Sequence, residues 1–325
     1  MKKTAIAIAA IACLSFCSIV RPAYAIEVTD YKPMRRAYYD GNNRIRVAIR
    51  SFKRADGGHK TTYLSVDAQS FKTELTDTLP GPEKNVEDEL LLKTPYMRAV
   101  TKYNRQQTGM ENHGIRRTET KTTGIVLTAD LCPSKKPLEK DLFSALMEVQ
   151  AAGTHTGPAP IALAVSGGWI KKHGEELEWI KNEINRKMLD VTWINHSLTH
   201  PWDPDKSYDS NFLLTPGINL EEEILGNEAL MIKNGIMPTP FFRFPGLISD
   251  DGLLKLLDEY SLIPIGSDAW FAKHEYPKPG SIVLLHANGN EPAGIMMFSV
   301  YAKKNVNNFR SGSLGLIPLT DAFEK

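Results

Sequence analysis

Two patterns of hydrophobic and polar residues divide the chain near residue 120. Residues 44–50 and 63–67 alternate polar and apolar side chains, as half-buried strands do. From residue 124 onward, compact apolar runs of strand length alternate with amphipathic segments of helical period. We therefore expect a small β-containing module or arm at residues 26–120 and a larger domain at residues 121–325.

The rhythm of the second part predicts its fold class, α/β. Apolar strands that alternate with amphipathic helices are typical of a parallel sheet flanked by helices, either open or closed into a barrel. In both architectures the functional groups lie at the carboxyl ends of the strands. The runs predicted as strands are residues 125–128, 161–165, 191–194, 241–244, 262–265, 282–285 and 316–319, and those predicted as helices are residues 138–151, 175–188, 220–232 and 250–260.

The amino-terminal segment, residues 1–25, has the features of a secretory signal peptide. Lys2 and Lys3 form a positive region, residues 5–20 are mostly apolar, and Ala-Tyr-Ala at residues 23–25 fits a cleavage site. The apolar run is too short for a comfortable membrane span, and no other apolar run in the sequence reaches spanning length. We expect secretion across an inner membrane, most simply to a bacterial periplasm, and no transmembrane segment in the mature chain.

The charge balance argues against nucleic acid as a partner. The 325 residues include 39 basic and 38 acidic side chains. Removal of the predicted signal takes away Lys2, Lys3 and Arg21 and no acids, which leaves 36 basic against 38 acidic residues and a formal net charge of −2. This balance gives no basic excess with which to bind nucleic acid or an anionic membrane surface.

The cysteines indicate how the mature chain is stabilised. Cys13 and Cys17 belong to the predicted signal, which leaves Cys132 alone. A secreted protein with one cysteine has no internal disulfide, so its stability must come from an apolar core. Phe16 precedes Cys17 where a lipoprotein needs a small residue, and we therefore do not expect a lipid anchor.

Two histidines are the first candidates for chemistry. His196 and His200 lie four residues apart, just after the apolar run at residues 191–194. The end of a strand can deliver both imidazoles to one place, where they can ligate a metal or transfer a proton. A chain with eight histidines can contain this spacing by chance, so the pair alone does not define a site.

Other polar residues follow the predicted strands in the same way. Taken singly, each fits an ordinary structural role, such as a helix cap, an ion pair or a buried core histidine. Taken together they favour a functional site, because parallel strands end on the same face of a sheet. The residues expected to converge there are Asp130, His196, His200, Arg243, Asp268 and His286.

The ordered motifs resemble those of a known family. The sequence reads TADLCP, HSLTH, RFPGL, SDAW and LLH between residues 128 and 286. This set is similar to the polysaccharide deacetylases of carbohydrate esterase family 4, also described by the NodB-homology domain. That family carries T-F-D-D-G, H-[ST]-x-x-H, R-x-P-[FY]-G, an Asp/Trp motif and L-x-H. The resemblance covers residues 124–325 and implies the family's distorted (β/α) barrel.

The resemblance implies a function as well as a fold. We expect a hydrolase that removes N-acetyl groups from an amino-sugar polysaccharide or oligosaccharide, with a divalent metal, most often zinc, as cofactor. Removal of O-acetyl groups from a glycan is a competing hypothesis, because an easier leaving group tolerates a weaker metal site. A non-catalytic glycan-binding protein on a degenerate deacetylase fold is the third hypothesis.

The family's mechanism implies roles for the matching residues. An aspartate and two histidines, here His196 and His200, hold the metal, which polarises the acetamide carbonyl and activates water. Asp130 acts as the base and His286 protonates the leaving amine, because an amide nitrogen leaves poorly without a proton. The remaining residues orient these groups or contact the substrate: Arg243 orients the base, Asp268 tunes His286, and Trp270, Leu284 and Pro245 bind the substrate.

The first motif departs from the family at the metal site. Alignment of TADLCP places Leu131 at the position of the metal aspartate, and leucine cannot ligate a metal. One hypothesis keeps Asp130 as the base and completes the metal site with Cys132, because zinc accepts thiolate, or with Asp203 or Asp205. In a second hypothesis Asp130 itself ligates the metal. In a third the site has lost its metal and only binds.

Overall fold

The structure is a computed structural model that describes residues 27–55, 60–154 and 156–325. The predicted signal peptide, including Cys13 and Cys17, lies outside the described residues. Within the described ranges, no helix is both long enough and apolar enough to cross a membrane.

An antiparallel sheet forms the first part of the chain. One face of this sheet, with Val47 and Ile49 of its second strand, lies in an apolar core cluster, as the alternating pattern predicts. The other face is not turned to solvent as a half-buried strand would be, because Arg46, Ala48 and Arg50 are buried as well. Two helices, α1 (Asp88–Leu92) and α2 (Pro95–Tyr103), follow the sheet and cover its apolar side. The strands pair in sequence order, and they are β1 (Val28–Tyr39), β2 (Ile45–Arg54), β3 (Thr61–Asp67) and β4 (Thr73–Thr76).

A parallel sheet forms the second part. Its strands follow one another in space in the order β10-β11-β5-β6-β7-β8-β9, and β12 pairs with the start of β5. The predicted α/β class, with a β-containing module before it, is confirmed. The strands are β5 (Gly124–Leu131), β6 (Ala159–Val165), β7 (Leu189–Asn195), β8 (Phe241–Phe242), β9 (Ile263–Pro264), β10 (Ala269–Trp270), β11 (Ile282–His286) and β12 (Gly315–Leu316).

Helices pack on the outside of the parallel sheet. The predicted helix at residues 220–232 begins where expected, because the Asn219 side chain accepts a hydrogen bond from the Glu222 N–H. It contains a π-helical turn, Glu222–Gly226, before it continues as an α-helix. The α-helices are α3 (Lys140–Ala152), α4 (Gly167–Ile170), α5 (Gly174–Asn185), α6 (Asn227–Lys233), α7 (Asp251–Glu259), α8 (Pro292–Lys304) and α9 (Val306–Ser311).

The segment at residues 115–118 bridges the open side of the barrel. Ile115 pairs with Ile265, just after β9, and Arg117 pairs with Ser281, just before β11. Backbone hydrogen bonds from both sides hold this segment, including one from the Ile282 N–H to the Arg116 carbonyl. The parallel sheet is therefore not closed by pairing between its own edge strands, β9 and β10. Residues that precede β5 fill the gap between them. The sequence boundary near residue 120 therefore falls just after a structural part of the barrel.

Alternation along β5 separates two apolar layers. Ile125, Leu127 and Leu131 pack in the cluster between the sheet and its helices. Val126 instead belongs to the cluster inside the barrel, and Asp130 shares its side of the strand. The strand therefore turns Asp130 toward the barrel interior and Leu131 toward the outer helices.

The N-terminal module closes the end of the barrel opposite the carboxyl ends of the parallel strands. Its apolar core is continuous with the core inside the barrel. Phe71, which follows β3, stacks on Phe323 with ring centroids 4.6 Å apart, and Phe323 stacks on Phe241 of β8 at 5.5 Å. All three rings are buried, in one cluster with residues of the antiparallel sheet and of the barrel. Because this end is filled with side chains, the opposite end, at the carboxyl ends of the strands, is left for chemistry.

A buried ion pair ties the module to the barrel. Arg50 of β2 donates two hydrogen bonds to Glu228 of α6, at 2.6 and 2.9 Å, and the two side chains are 0% and 1% exposed. The Tyr31 hydroxyl donates to the same carboxylate at 2.9 Å. Arg50 also donates to the Tyr260 carbonyl at 2.7 Å. Every partner in this network is satisfied, which is the condition under which a buried charge is tolerated.

Candidate active site

A cleft of about 640 Å³ opens at the carboxyl ends of the parallel strands. This is the end at which barrel and open α/β sheets carry their chemistry. The cleft is lined by Asp130, Cys132, Pro133, His196, His200, Trp202, Phe212, Gly246, Leu247, Trp270, Leu284, His286, Asn290 and Glu291.

The end of β5 supplies Asp130 and Cys132 but not Leu131. Leu131 is fully buried in the outer apolar cluster, so its position in the motif contributes nothing to the cleft. Cys132 follows the last residue of the strand, and its Sγ reaches the cleft. The alternation of the strand thus turns Asp130 toward the cleft and Leu131 away from it, and the next residue, Cys132, lines the cleft again.

Arg243 holds Asp130 in place. Its Nη1 donates to Asp130 Oδ1 and to Thr128 Oγ1, both at 2.7 Å, and its other nitrogens donate to backbone carbonyls. Burial alone would raise the pKa of Asp130, but Arg243 and then His196 hold that pKa below its ordinary value. Asp130 is therefore a carboxylate at neutral pH, with Oδ1 occupied and Oδ2 turned toward His196 at 3.7 Å.

The HSLTH loop has a left-handed backbone at two residues. Ser197 and His200 have φ values of 65° and 52°, and each costs roughly 1–2 kcal/mol relative to a right-handed residue. Hydrogen bonds offset this cost: the Ser197 N–H donates to Asn195 Oδ1 at 3.0 Å, and the His200 N–H donates to Ser197 Oγ at 3.2 Å. Strain held in this way is common at functional sites.

Glu223, in the π-helical turn, fixes the middle of the loop. Its carboxylate accepts hydrogen bonds from the Thr199 hydroxyl at 2.5 Å and from the Thr199 N–H at 3.0 Å, and its carbonyl accepts from the Leu198 N–H at 2.8 Å. Glu223 is only 4% exposed. Single π-helical turns are frequent at functional sites, and this one carries the residue that positions the loop.

The hydrogen bond on the far side of His196 decides which nitrogen faces the cleft. His196 Nδ1 lies 2.8 Å from the Arg243 carbonyl oxygen, which can only accept. Nδ1 therefore carries the proton, and Nε2 presents its lone pair to the cleft. Histidines that ligate a metal through one ring nitrogen commonly donate the other N–H to a backbone carbonyl or a carboxylate, as His196 does here.

Three donor atoms meet in front of His196. One ligand atom each from Cys132, His196 and His200 lies within 4.8 Å of the other two. Cys132 Sγ and His196 Nε2 are 3.5 Å apart. In a tetrahedral zinc site, bonds of about 2.3 Å to sulfur and 2.05 Å to nitrogen separate the two ligands by about 3.6 Å. The residues present therefore fit a metal of this kind.

Charge at the three donors also suits a metal. Burial alone would raise the pKa of the Cys132 thiol, but His200 and His196 hold that pKa well below its ordinary value. Burial lowers the pKa of His200, but the neighbouring Cys132 raises it to a net value above the ordinary one. A thiolate facing imidazoles is the arrangement in which a cation can replace the imidazole protons.

Of the possible third ligands, Cys132 has the best geometry. Asp130 groups with Cys132 and His286 but not with His200. Asp203 and Asp205 lie in the loop after His200 and join neither group of possible metal ligands among the described residues. The Asp203 carboxylate instead accepts a hydrogen bond from the Asp205 N–H at 3.1 Å.

His286, at the end of β11, is held by Glu291. His286 Nδ1 lies 2.9 Å from Glu291 Oε2, and the same oxygen accepts from the Trp270 indole N–H at 2.8 Å. Burial lowers the pKa of His286, but Cys132 and Glu291 raise it to a net value well above the ordinary one. This direction favours the protonated imidazole, and with Nδ1 turned to Glu291 the other ring nitrogen, Nε2, is the one that faces the cleft.

Asp268, predicted to tune His286, has other hydrogen-bond partners in the structure. It lies just before β10, is exposed, and pairs with Arg117 of the segment that closes the barrel and with Ser281, just before β11. Glu291 takes the predicted place beside His286. The sequence signal for Glu291 is weak, because it is an acidic residue in a turn after the last motif.

The predicted substrate-binding residues have different positions. Trp270 and Leu284 line the cleft. Pro245 is buried and does not line it; the next two residues, Gly246 and Leu247, do so instead. Gly246 has a φ of 63°, and a Cβ there would lie 2.3 Å from the Phe212 ring, so the family's aromatic residue cannot be accommodated with this backbone.

No family model matches the sequence. Among solved structures, the chain is similar to a family 4 carbohydrate esterase from Bacillus anthracis, with 22% identity, a TM-score of 0.47, and 70% of this chain and 90% of that chain covered. It is also similar to a chitin deacetylase from the fungal pathogen Colletotrichum lindemuthianum, at 16% identity, a TM-score of 0.40 and coverages of 64% and 90%. A family 4 pseudoenzyme from Bacillus anthracis matches at 14% identity and a TM-score of 0.40, with coverages of 90% and 89%. These structures come from the family whose motifs the sequence resembles.

Proposed function

We propose that the protein is a secreted hydrolase that removes N-acetyl groups from an amino-sugar polysaccharide or oligosaccharide. The observation that carries this proposal is the convergence of Cys132, His196 and His200 beside the carboxylate of Asp130 and the imidazole of His286. Three donors, a base and an acid in one cleft are the parts that metal-assisted hydrolysis of an amide requires. Secretion rests on the predicted signal peptide.

Zinc is the metal that these donors favour. One thiolate and two imidazoles are borderline-soft ligands, which suit zinc and disfavour magnesium, calcium and manganese. Three protein ligands leave one coordination position for water or substrate, as in catalytic zinc sites. When bound, the metal polarises the acetyl carbonyl and lowers the pKa of water.

Asp130 and His286 provide the two proton transfers. Asp130, kept ionised by Arg243, accepts a proton from the attacking water through its free Oδ2. His286, with Nδ1 turned to Glu291, donates its Nε2 proton to the amine nitrogen as the C–N bond breaks. Leu284 and Trp270 provide apolar surface for the acetyl methyl group, which discriminates acetyl from longer acyl chains.

Removal of O-acetyl groups is the second candidate function. One observation favours it: Leu131 is buried away from the cleft, so the metal site has a thiolate where the family has a carboxylate. A thiolate donates more charge to the metal and weakens it as a Lewis acid. An ester, whose alkoxide leaves more easily than an amine, tolerates this loss better than an amide does.

Acetate release tests these functions together. We expect the mature protein to release acetate from N-acetylglucosamine oligomers, to stop when a chelator removes the metal, and to recover when zinc is returned. Acetylated xylan in a parallel assay measures the O-acetyl alternative. Tight binding of a glycan with no acetate released from either substrate and no metal retained would exclude both enzymatic functions and favour a binding protein.

Glu291→Gln should reduce amide hydrolysis selectively. Without the carboxylate, Nδ1 of His286 loses the charged partner that helps to keep the imidazole protonated. Fewer molecules then hold the proton that the leaving amine needs, so we expect a loss of about a hundredfold on N-acetyl substrates. An aryl acetate should lose much less, because its phenolate leaves without protonation. The measurement is the ratio of the two rates in wild type and variant.

Glu275→Gln is the matched control, since Glu275 is exposed and does not line the cleft. It should leave both rates unchanged. An equal fall on both substrates in Glu291→Gln would show that Glu291 supports the structure of the cleft and does not act through the acid.

A further inference from the structure

Trp202 is the most exposed tryptophan of the described chain. Its side chain is 63% accessible, whereas Trp169 and Trp193 are buried and Trp179 and Trp270 are half-buried. A large ring in water forgoes the free energy of burial. Single exposed apolar residues are common on protein surfaces, so exposure gains meaning only from where the ring lies and how it is held.

The ring lies on the wall of the cleft. Trp202 lines the same cavity as the three metal-site donors and comes two residues after His200. The acid His286 ends β11 and Trp270 ends β10, on the other side of the cleft, and Glu291 follows at the start of α8. A substrate whose acetyl group lies between the metal site and His286 therefore extends past one aromatic residue or the other.

A buried amide fixes the backbone under Trp202. Asn211 is 1% exposed, and its Oδ1 accepts a hydrogen bond from the Asp203 N–H at 3.0 Å. Its Nδ2 donates to the Asp203 carbonyl at 2.6 Å and to the Lys206 carbonyl at 3.2 Å. On the other side, Pro201 restricts the backbone. The ring is therefore presented from a rigid base, which limits the entropy lost when it binds something.

Trp270, the other tryptophan that lines the cleft, has partners for both its indole N–H and its ring. Its indole N–H donates to Glu291, and Lys273 Nζ lies 4.0 Å from the centre of its ring. For Trp202, no ring, cation or hydrogen-bond acceptor of the described residues occupies either its face or its indole N–H. Of the two tryptophans that line the cleft, Trp202 is therefore the one whose ring face and indole N–H are both available to a ligand.

We infer that Trp202 is a stacking platform for a pyranose ring of the glycan, next to the sugar whose acetyl group enters the site. A pyranose has a flat apolar face of C–H groups, which packs on an aromatic ring, and hydroxyls at its edge that accept from an indole N–H. This inference rests on the proposed function for the identity of the ligand, but binding at Trp202 is measured separately from acetate release.

Fluorescence quenching by acrylamide tests the inference on the full mature protein. We expect the exposed indole of Trp202 to account for most of the quenching, so saturation with the N-acetylglucosamine pentamer should protect the emission. The monomer, which fills only the acetyl site, should protect it much less. Trp202→Phe should lose most of this protection while it binds the pentamer within about threefold of wild type. Trp202→Ala should bind about tenfold more weakly, the effect of one lost stacking contact.

Leu92→Ala is the control, because Leu92 is a similarly exposed apolar side chain (54%) in the N-terminal module, away from the cleft. Its pentamer affinity should equal that of wild type, and all variants should share the wild-type melting temperature. Acetate is measured in the same samples. Acetate release without protection of Trp202 would overturn the platform and leave the proposed function standing, whereas protection without acetate would support the platform and refute the hydrolase.

Discussion

His196→Ala is expected to lose the metal and the activity together. His196 is buried, its Nδ1 is fixed by the Arg243 carbonyl, and its Nε2 lies 3.5 Å from Cys132 Sγ. Alanine leaves two donors where a catalytic zinc needs three. We expect the rate of acetate release to fall by at least about a thousandfold, since metal activation of water accounts for several kcal/mol of the barrier. The measurement is acetate release together with bound zinc per chain.

His274→Asn is the matched control for this change. His274 is exposed and does not line the cleft, and its φ of 62° is one that asparagine accepts. It should keep full metal content and rate. If His196→Ala retained one zinc per chain and a rate within a few-fold of wild type, His196 would not be a ligand.

Glu228→Ala is expected to destabilise the fold by about 3–5 kcal/mol, because removal of one partner leaves a charge buried and unpaired. The remaining guanidinium of Arg50 is fully buried and would keep its hydrogen bond to the Tyr260 carbonyl but lose both bonds to the carboxylate. Tyr31 would lose its acceptor as well. The free energy of unfolding, from urea titration, measures the effect.

The double variant Arg50→Met/Glu228→Leu separates the charge from the packing. Apolar residues of similar volume in place of a buried pair are often neutral or stabilising, so most of the lost stability should return. Glu89→Ala, which breaks the exposed pair with Lys93, should change nothing measurable. A loss below about 1 kcal/mol in Glu228→Ala would mean that water or another anion reaches Arg50 when the carboxylate is gone.

The class of fold was predictable because apolar periodicity is a local signal. The long strands β5 and β6 are continuous buried runs, as a parallel sheet covered on both faces requires, and β7 is buried over its last three residues. The closure of the barrel by residues 115–118 was not predictable, because it depends on hydrogen bonds to residues more than 140 positions away. Nothing in the local pattern of that segment distinguishes it from the module before it.

The convergence of the site was also predictable, because parallel strands end on one face. Asp130, His196, His200 and His286 line one cleft, and Arg243 lies behind Asp130. The direction of individual side chains at the strand ends was not predictable, because it depends on contacts with distant residues. Asp268 precedes its two-residue strand and points to the closing segment, and Glu291, in a turn without periodicity, takes its place.

The choice of Cys132 over the other possible ligands also needed the structure. The sequence shows only that leucine stands at the metal position. The alternation of β5 then turns Leu131 outward and leaves the thiol of the following residue 3.5 Å from His196. The proposed metal site therefore takes its third donor from the residue that follows Leu131.

The absorption spectrum of the cobalt-substituted protein tests most directly whether Cys132 is a metal ligand. Cobalt occupies tetrahedral zinc sites, and a thiolate ligand gives it a strong charge-transfer band in the near ultraviolet. Cys132 is the one cysteine of the sequence outside the predicted signal, so any such band in the mature protein must come from it. We predict the band in wild type and its loss in Cys132→Ser. Bound cobalt without the band in wild type, or an unchanged band in Cys132→Ser, would contradict a Cys132–His196–His200 site.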